Sequence, residues 1–229
     1  VPIRKSGAIY PFRMDTSYKK GVDLKLQNGR KRIVGLGSAL VDLLVHESDD
    51  FIRRIGVEKG GMTLVDMSTL DEILERISTQ PSVVPGGSAC NTAVGVGRLG
   101  GPSRFVGKRG NDEIGQGFEK GLIERGVEPC LMTSSLPTGR VLSIITPDAQ
   151  RTMITYLGAS ADTQPEEITP SCFSDSAVVH MEGYLLFNPG LMAAALKAAK
   201  NAGALVSLDL ASFTVVEGRR DGGDVLRLL

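Results

Sequence analysis

The chain has 229 residues, of which 41% are hydrophobic and 23% charged, and its formal net charge at pH 7 is zero. This length and composition are typical of a globular protein with a single main core, and they exclude a disordered or fibrous chain. No apolar run approaches the roughly 20 residues that a helix needs to cross a bilayer, so a membrane is not expected as a partner. A nucleic acid is not expected as a partner either.

The charge is spread unevenly, because residues 1–32 hold nine Lys or Arg and two Asp or Glu. This excess predicts a basic, solvated arm over residues 1–30, with an interaction tail as the alternative. The arm lacks the apolar stretch of a signal peptide, so we expect a cytoplasmic protein. An organellar leader stays open as an alternative, because the first residue is Val1 rather than Met.

Cys90, Cys130 and Cys172 lie about forty residues apart, and only two histidines are present. An odd number of cysteines without metal-ligand or redox spacing predicts three reduced thiols rather than a disulfide framework. The sequence therefore predicts no metal site and offers little material for a Ser/His/Asp triad.

Strands and helices alternate along the chain. The apolar runs that predict strands are 32–37, 41–45, 105–107, 141–146, 151–157, 177–181 and 204–210. The predicted helices begin near Ser68, Ser88, Asp112 and Asn188. The runs on either side of residues 147–150 predict a β-hairpin. This alternation predicts an α/β fold with a parallel sheet and a small antiparallel accessory.

The most informative motif is the pair Gly86 and Gly87, followed at once by a helix. Two glycines let the backbone approach a ligand closely, and the helix start leaves unpaired N–H groups beside them. Asn91 lies in the first helical turn. The motif suits a small polyhydroxylated ligand, and the alternative is an ordinary turn before a helix.

Three acids, Asp42, Glu182 and Asp209, follow or end predicted strands. Ligands of parallel sheets gather at the carboxyl ends of the strands, and a carboxylate there can accept hydrogen bonds from two hydroxyl groups. A turn or cap role is the alternative for a single acid of this kind. Arg151 in the hairpin is placed to close over an anion, with a solvated arginine as the alternative.

Residues 95–100 match the pattern G-x-G-x-x-G of dinucleotide sites. In such sites the glycines open the helix, whereas here they fall late in a helix that begins near Ser88. We interpret them as positions of close helix packing, which argues against a nucleotide-dependent oxidoreductase.

Taken together, the chain resembles the ribokinase-like (PfkB) family of sugar kinases, and within it the adenosine-kinase-like branch. The matching segments are 35–42, 59–66, 86–93, 105–115, 151–159 and 181–184, within a resemblance that spans residues 31–217. It implies a Rossmann-like αβα sandwich over residues 31–229 with a small β-sheet lid formed by about 44–65 and 138–158. It also implies ATP- and Mg²⁺-dependent phosphotransfer to a hydroxymethyl group of a sugar or nucleoside, and it admits a homodimer through the lid.

By position, the resemblance assigns binding of the sugar hydroxyl groups to Asp42, Gly86, Gly87 and Asn91. Leu40, Arg151 and Glu182 complete the predicted acceptor site. The apolar Leu40 tilts the expected acceptor toward a nucleoside.

The family's Gly-Ala-Gly-Asp segment, which carries the catalytic base and an anion hole, is absent. Residues 224–229 resemble the middle of a helix, so we expect a truncated chain whose catalytic base lies beyond Leu229. Catalytic and ATP-binding residues stay unassigned, and the chain alone is expected to be inactive. The alternative is a non-catalytic sugar- or nucleoside-binding protein that retains the acceptor pocket.

Overall fold

The computed structural model describes residues 32–212 and residue 215. The strands within this part of the chain are β1 (Arg32–Leu36), β2 (Leu40–His46), β3 (Met62–Leu64), β4 (Ser82–Gly86), β5 (Ser103–Gly110), β6 (Val127–Ser134), β7 (Gly139–Ile145), β8 (Arg151–Tyr156), β9 (Ser176–Met181) and β10 (Leu205–Leu208). The α-helices are α1 (Asp49–Ile55), α2 (Met67–Leu74), α3 (Ser88–Arg98), α4 (Glu113–Glu124) and α5 (Pro189–Asn201). Short 3-10 turns, among them Gly183–Phe187, complete the described elements.

One sheet is entirely parallel, with the strand order β10-β9-β1-β5-β6. Successive side chains of its strands pack into two different hydrophobic cores. Phe105 packs in the core on the side of α3 and α4, and the next residue, Val106, packs in the core on the side of α5. Helices therefore cover both faces, as expected where a parallel sheet is buried on each side.

The second sheet has the order β3-β8-β7-β2-β4 and mixes both directions. Strand β7 lies at its centre. Strand β2 pairs with β7 in parallel and with the edge strand β4 in antiparallel. Only residues 37–39 separate β1 in the first sheet from β2 in the second. The chain thus passes directly from one sheet to the other at this crossing.

The predicted α/β class with two sheets is confirmed, with three corrections. The accessory sheet is mixed rather than antiparallel, because β2 pairs with β7, and β3 with β8, in parallel. The helix expected at Ser68 begins one residue earlier, because the Asp66 side chain caps it by accepting a hydrogen bond of 2.8 Å from Thr69 N. Strand β5 continues three residues beyond Gly107.

The predicted arm at 1–30 and the predicted helix at 224–229 lie outside the described residues. The lid boundaries and the division into domains stay predictions. Among residues 32–212, no helix combines the length and apolar character needed to cross a membrane.

Candidate functional site

A cleft of about 590 Å³ lies between the mixed sheet and the carboxyl ends of β1 and β9. Six of the seven predicted site residues line it, namely Leu40, Asp42, Gly87, Asn91, Arg151 and Glu182. The seventh, Gly86, lies behind the Asp42 side chain. The folded chain therefore brings together residues that are up to 142 positions apart in the sequence.

Asp42 is the third residue of β2. The sequence suggested the end of the first strand or its continuation, but β2 belongs to the second sheet. Its side chain is 14% exposed and faces the cleft. A Cβ atom at Gly86 would lie 2.5 Å from Cγ of Asp42, so glycine leaves the space that the carboxylate occupies.

Arg151 is the cation nearest to this carboxylate, with 3.7 Å between its Nη2 and Oδ2 of Asp42. Ser143 orients the guanidinium, since Nε and Nη2 both donate to its Oγ, at 3.2 and 2.9 Å. Burial raises the pKa of Asp42, and the charge of Arg151 opposes this rise. Within residues 32–212 no donor hydrogen-bonds to the Asp42 carboxylate, which leaves its oxygens free to accept from a ligand.

Gly87 forms the turn between β4 and α3 with a φ of +99°, a conformation that side chains disfavour. A Cβ atom there would also lie 2.4 Å from the carbonyl oxygen of Ser38. Two independent constraints thus require glycine at this position. Asn91, in the first turn of α3, is exposed and faces the cleft.

Glu182 follows β9 and is 1% exposed. Its Oε1 accepts hydrogen bonds of 2.8 Å from both N and Oγ of Ser38, and its Oε2 accepts one of 3.3 Å from Ala89 N. Burial raises its pKa, and these hydrogen bonds oppose the rise. Since both oxygens already have protein partners, the carboxylate holds the 37–39 crossing against the start of α3. Direct contact with a ligand stays a prediction.

Asp209, after β10, does not line the cleft. Its Oδ2 accepts a hydrogen bond of 3.0 Å from Ser88 Oγ, and its Oδ1 accepts from the backbone N–H groups of Gly183 and Ala211 at 2.9 and 2.8 Å. It therefore fixes the first residue of α3 to the loop after β9. Of the three acids that the sequence grouped, only Asp42 offers a carboxylate without hydrogen-bond donors within residues 32–212.

The far side of the cleft is apolar. Three of its large side chains are well exposed, Met62 at 39%, Leu64 at 58% and Phe187 at 55%. The sequence analysis missed them, together with Met153 and Tyr184. The alternation of the predicted hairpin would have found Met153 and Thr155, because they share a face with Arg151. No periodic pattern marks Phe187, which lies in a 3-10 turn.

The described residues contain no group of three or more His, Cys, Asp or Glu that could hold a metal ion. The arrangement can instead bind a molecule with hydroxyl groups at one end, facing Asp42 and Asn91, and a flat apolar part at the other. Such a ligand would be covered on several sides, which limits its contact with water.

The model of the pfkB family of carbohydrate kinases matches residues 58–213, which is more than half of the chain. A fructokinase of Solanum tuberosum is 36% identical over 132 residues, a match that covers 55% of this chain and 41% of the relative. Fructokinase-1 of Zea mays is 34% identical over the same length. The chain thus spans less than half of the length of these curated relatives.

Solved structures resemble the fold over more of the chain. Adenosine kinase from Sinorhizobium meliloti matches with a TM-score of 0.76 and 29% identity, covering 84% of this chain and 60% of that one. A probable sugar kinase from Rhizobium etli matches with a TM-score of 0.77 and 28% identity, with the same two coverages.

Proposed function

Because the chain belongs to the pfkB family of carbohydrate kinases, we propose that the protein transfers a phosphoryl group from ATP to a hydroxymethyl group of a nucleoside or sugar. The described cleft is then the acceptor site. The observation that carries this proposal is the Asp42 carboxylate, which is largely buried, faces the cleft and has no hydrogen-bond donor within residues 32–212. Acceptor hydroxyl groups would supply the missing donors, each as a charge-assisted hydrogen bond.

We propose a nucleoside as the acceptor, with a ketose or pentose sugar as the second candidate. The exposed apolar side chains of Met62, Leu64 and Phe187 support the nucleoside, because a base would cover them. The fructokinase relatives support the sugar. In either case Gly87 allows close backbone approach, and Arg151 restrains the Asp42 carboxylate.

ATP and Mg²⁺ belong to the proposal through the family alone. No described cluster fits the metal, so we assign it no residues and derive no step through it. The chain's own contribution is to bind the acceptor, orient its hydroxyl groups and exclude water from one side of it. Because the sequence contains no Gly-Ala-Gly-Asp segment, we propose that the 229-residue chain alone binds acceptor without phosphorylating it.

Calorimetric titration of the purified protein with adenosine and with fructose, without ATP, tests the acceptor. We expect adenosine to bind at least tenfold more tightly. Tighter binding of fructose would reverse the choice of acceptor while leaving the cleft intact. Phosphorylation of either compound by the 229-residue chain would contradict the proposed inactivity. Binding without phosphorylation is the expected result, and it leaves a non-catalytic binding protein as the second candidate function.

We also propose that two copies of the chain associate through the mixed sheet. Its two edge strands expose apolar side chains, Leu64 on β3 and Val83 on β4, at 58% and 62%. Exposed strand edges of this kind invite pairing. Sedimentation velocity should show a dimer that Val83→Lys weakens, and a monomer at all concentrations would reject the interface.

A further inference from the structure

The wall of the cleft contains a buried hydroxyl group. Thr155, on β8, lines the cleft and is 2% exposed. Its Oγ1 atom is out of contact with solvent, and no group in the part of the chain that the structure describes forms a hydrogen bond with it. Its backbone is paired, since the Thr155 carbonyl accepts from Val65 N at 2.9 Å. Buried hydroxyl groups are normally hydrogen-bonded, so this one needs an explanation.

The register of the mixed sheet aligns Thr155 with the acid of the site. Asp42 on β2 pairs with Val141 on β7, and Val141 pairs with Thr155 on β8. On its other side, Thr155 pairs with Leu64 on β3. All four residues line the cleft, so they form one row across its wall. Because adjacent strands lie about 4.8 Å apart, Thr155 stands about 10 Å from Asp42 along this row, on the side of the exposed Leu64.

A ligand that lies along this row meets two kinds of surface. Its hydroxyl groups face Asp42, and its other end lies against the apolar side chains of Val141 and Leu64, with Thr155 between them in the row. Since Thr155 lines the cleft while its Oγ1 is covered, a rotation of about 120° about the Cα–Cβ bond, from one staggered rotamer to another, turns the hydroxyl toward a ligand. Within residues 32–212 no hydrogen bond is broken by this rotation.

We propose that Thr155 is a specificity-determining residue of the acceptor site, and that its hydroxyl donates a hydrogen bond to a ring nitrogen of a nucleobase. This inference rests on the proposed function, because it requires a nucleoside whose sugar hydroxyl groups face Asp42. The hydrogen bond gives the buried hydroxyl the partner that it lacks, so the site favours a flat ring with nitrogen over an equally flat hydrocarbon ring. The apolar side chains alone cannot make this distinction, because burial of apolar surface is not directional.

Calorimetric titration with two ribosides tests the proposal. Adenosine has ring nitrogens, whereas its analogue with a naphthyl group in place of adenine has the same sugar hydroxyl groups and a flat ring without nitrogen. Thr155→Val has nearly the same shape without the hydroxyl, so it should bind adenosine about fivefold to tenfold more weakly and the naphthyl analogue with unchanged affinity. Thr155→Ser keeps a hydroxyl and should keep the affinity for adenosine. Thr133→Val, at an exposed threonine of β6, is the control and should behave like the wild type.

Thermal unfolding without ligand tests the missing partner separately. Thr155→Val exchanges an unpaired hydroxyl for a methyl group, so the midpoint of unfolding should stay the same or rise. Thr152→Val, on the same strand, is the matched comparison. The Thr152 side chain is fully buried, and its Oγ1 accepts a hydrogen bond of 2.9 Å from Gly60 N, so this substitution should lower the midpoint.

The outcomes separate this inference from the proposed function. Asp42→Asn should weaken both ribosides by the same factor, because they share the sugar hydroxyl groups. If both ribosides bind and Thr155→Val weakens them equally or not at all, the role of Thr155 is overturned while the acceptor site stands. A lower midpoint of unfolding in Thr155→Val would also overturn it, since the hydroxyl would then have a partner within the protein. If the wild type binds neither riboside, the nucleoside acceptor and the role of Thr155 are both rejected.

Discussion

The Cα atom of Gly86 lies so close to the Asp42 carboxylate that a Cβ added there would come within 2.5 to 2.8 Å of its Cγ, Oδ1 and Oδ2 atoms. The carboxylate of Asp42 on β2 thus occupies the space that a side chain at Gly86, on the neighbouring strand β4, would need. The acid can point into the cleft only because its neighbour has no side chain.

Gly86→Ala should therefore weaken acceptor binding about tenfold or more, because the methyl group displaces the carboxylate. Calorimetric titration with adenosine measures this effect. The matched control is Gly95→Ala, since a Cβ at Gly95 in α3 meets nothing within 4 Å. The control should retain affinity and stabilise the helix by about 0.5–1 kcal/mol. Equal affinity of Gly86→Ala and Gly95→Ala would refute the spatial argument.

Asp42→Asn should lower acceptor affinity at least tenfold, because it removes charge-assisted hydrogen bonds of about 1.5–3 kcal/mol while preserving the shape. The affinity for ATP should change little. Asp50→Asn is the control, since Asp50 lies on the exposed side of α1. An unchanged acceptor affinity in Asp42→Asn would remove Asp42 from the site.

Acceptor affinity should also fall in acid, as protonation of Asp42 removes the charge that binds hydroxyl groups. Because burial raises the pKa of Asp42, the midpoint of this loss should lie above 3.8, the ordinary value for the group. Arg151→Met removes the charge that opposes the rise, so its midpoint should move further up. A midpoint that stays in place in Arg151→Met would show that the ion pair does not act on Asp42.

Glu182→Ala should lower the free energy of unfolding by about 3 kcal/mol or more, since the buried N–H of Ala89 and the part-buried N–H and hydroxyl of Ser38 lose a charged acceptor. Urea denaturation measures this loss. Glu47→Ala is a matched control, because Glu47 accepts the same pair of hydrogen bonds from N and Oγ of Ser78, but at the surface. It should cost no more than about 0.5 kcal/mol. If both variants lost a similar free energy of unfolding, burial of the Glu182 hydrogen bonds would contribute nothing to stability.

Glu182 also makes the free energy of unfolding depend on pH, and its raised pKa fixes the direction of this dependence. Since burial raises its pKa above 4.5 in the folded state, the folded protein keeps the proton where the unfolded chain has released it. Its contribution to stability is therefore largest at low pH and declines as the pH rises from 4.5 through the folded-state pKa. Glu182→Gln cannot titrate, so the difference in stability between it and the wild type should shift in favour of the variant as the pH rises. A constant difference would contradict the raised pKa.

The sequence predicted the elements whose local chemistry is unambiguous. The Asp112 cap, the Asn188-Pro189 helix start and the β7–β8 hairpin all appear as expected. It missed the short strand β3, the helix α1, and the strands β4 and β6. Of these, β4 and β6 each contain a proline, Pro85 and Pro129. Proline cannot donate to a strand ladder and argues against a strand in sequence reading. Both strands lie at the edge of their sheets, where a missing donor is tolerated.

The sequence predicted which residues line the cleft better than it predicted their geometry. The two glycines, Asp42 and Asn91 could be found because each has a local reason to face a ligand. The sequence did not show that Asp42 belongs to a second sheet. The three residues 37–39 between two apolar runs are also typical of a break within a single strand. The partners of Glu182 depend on long-range packing, which leaves no trace in spacing.

The short crossing at residues 37–39 has a consequence for protein engineering. Its Ser38 carbonyl fills the space beside Gly87, and its Ser38 side chain is held by Glu182, so added residues there would misalign Asp42 with the rest of the cleft. The turn between β7 and β8 is different, because residues 147–150 are exposed and Ala149 already adopts a φ of 64°. New chain termini made by circular permutation, or an inserted reporter peptide, should therefore be accepted at 147–150 and rejected at 37–39.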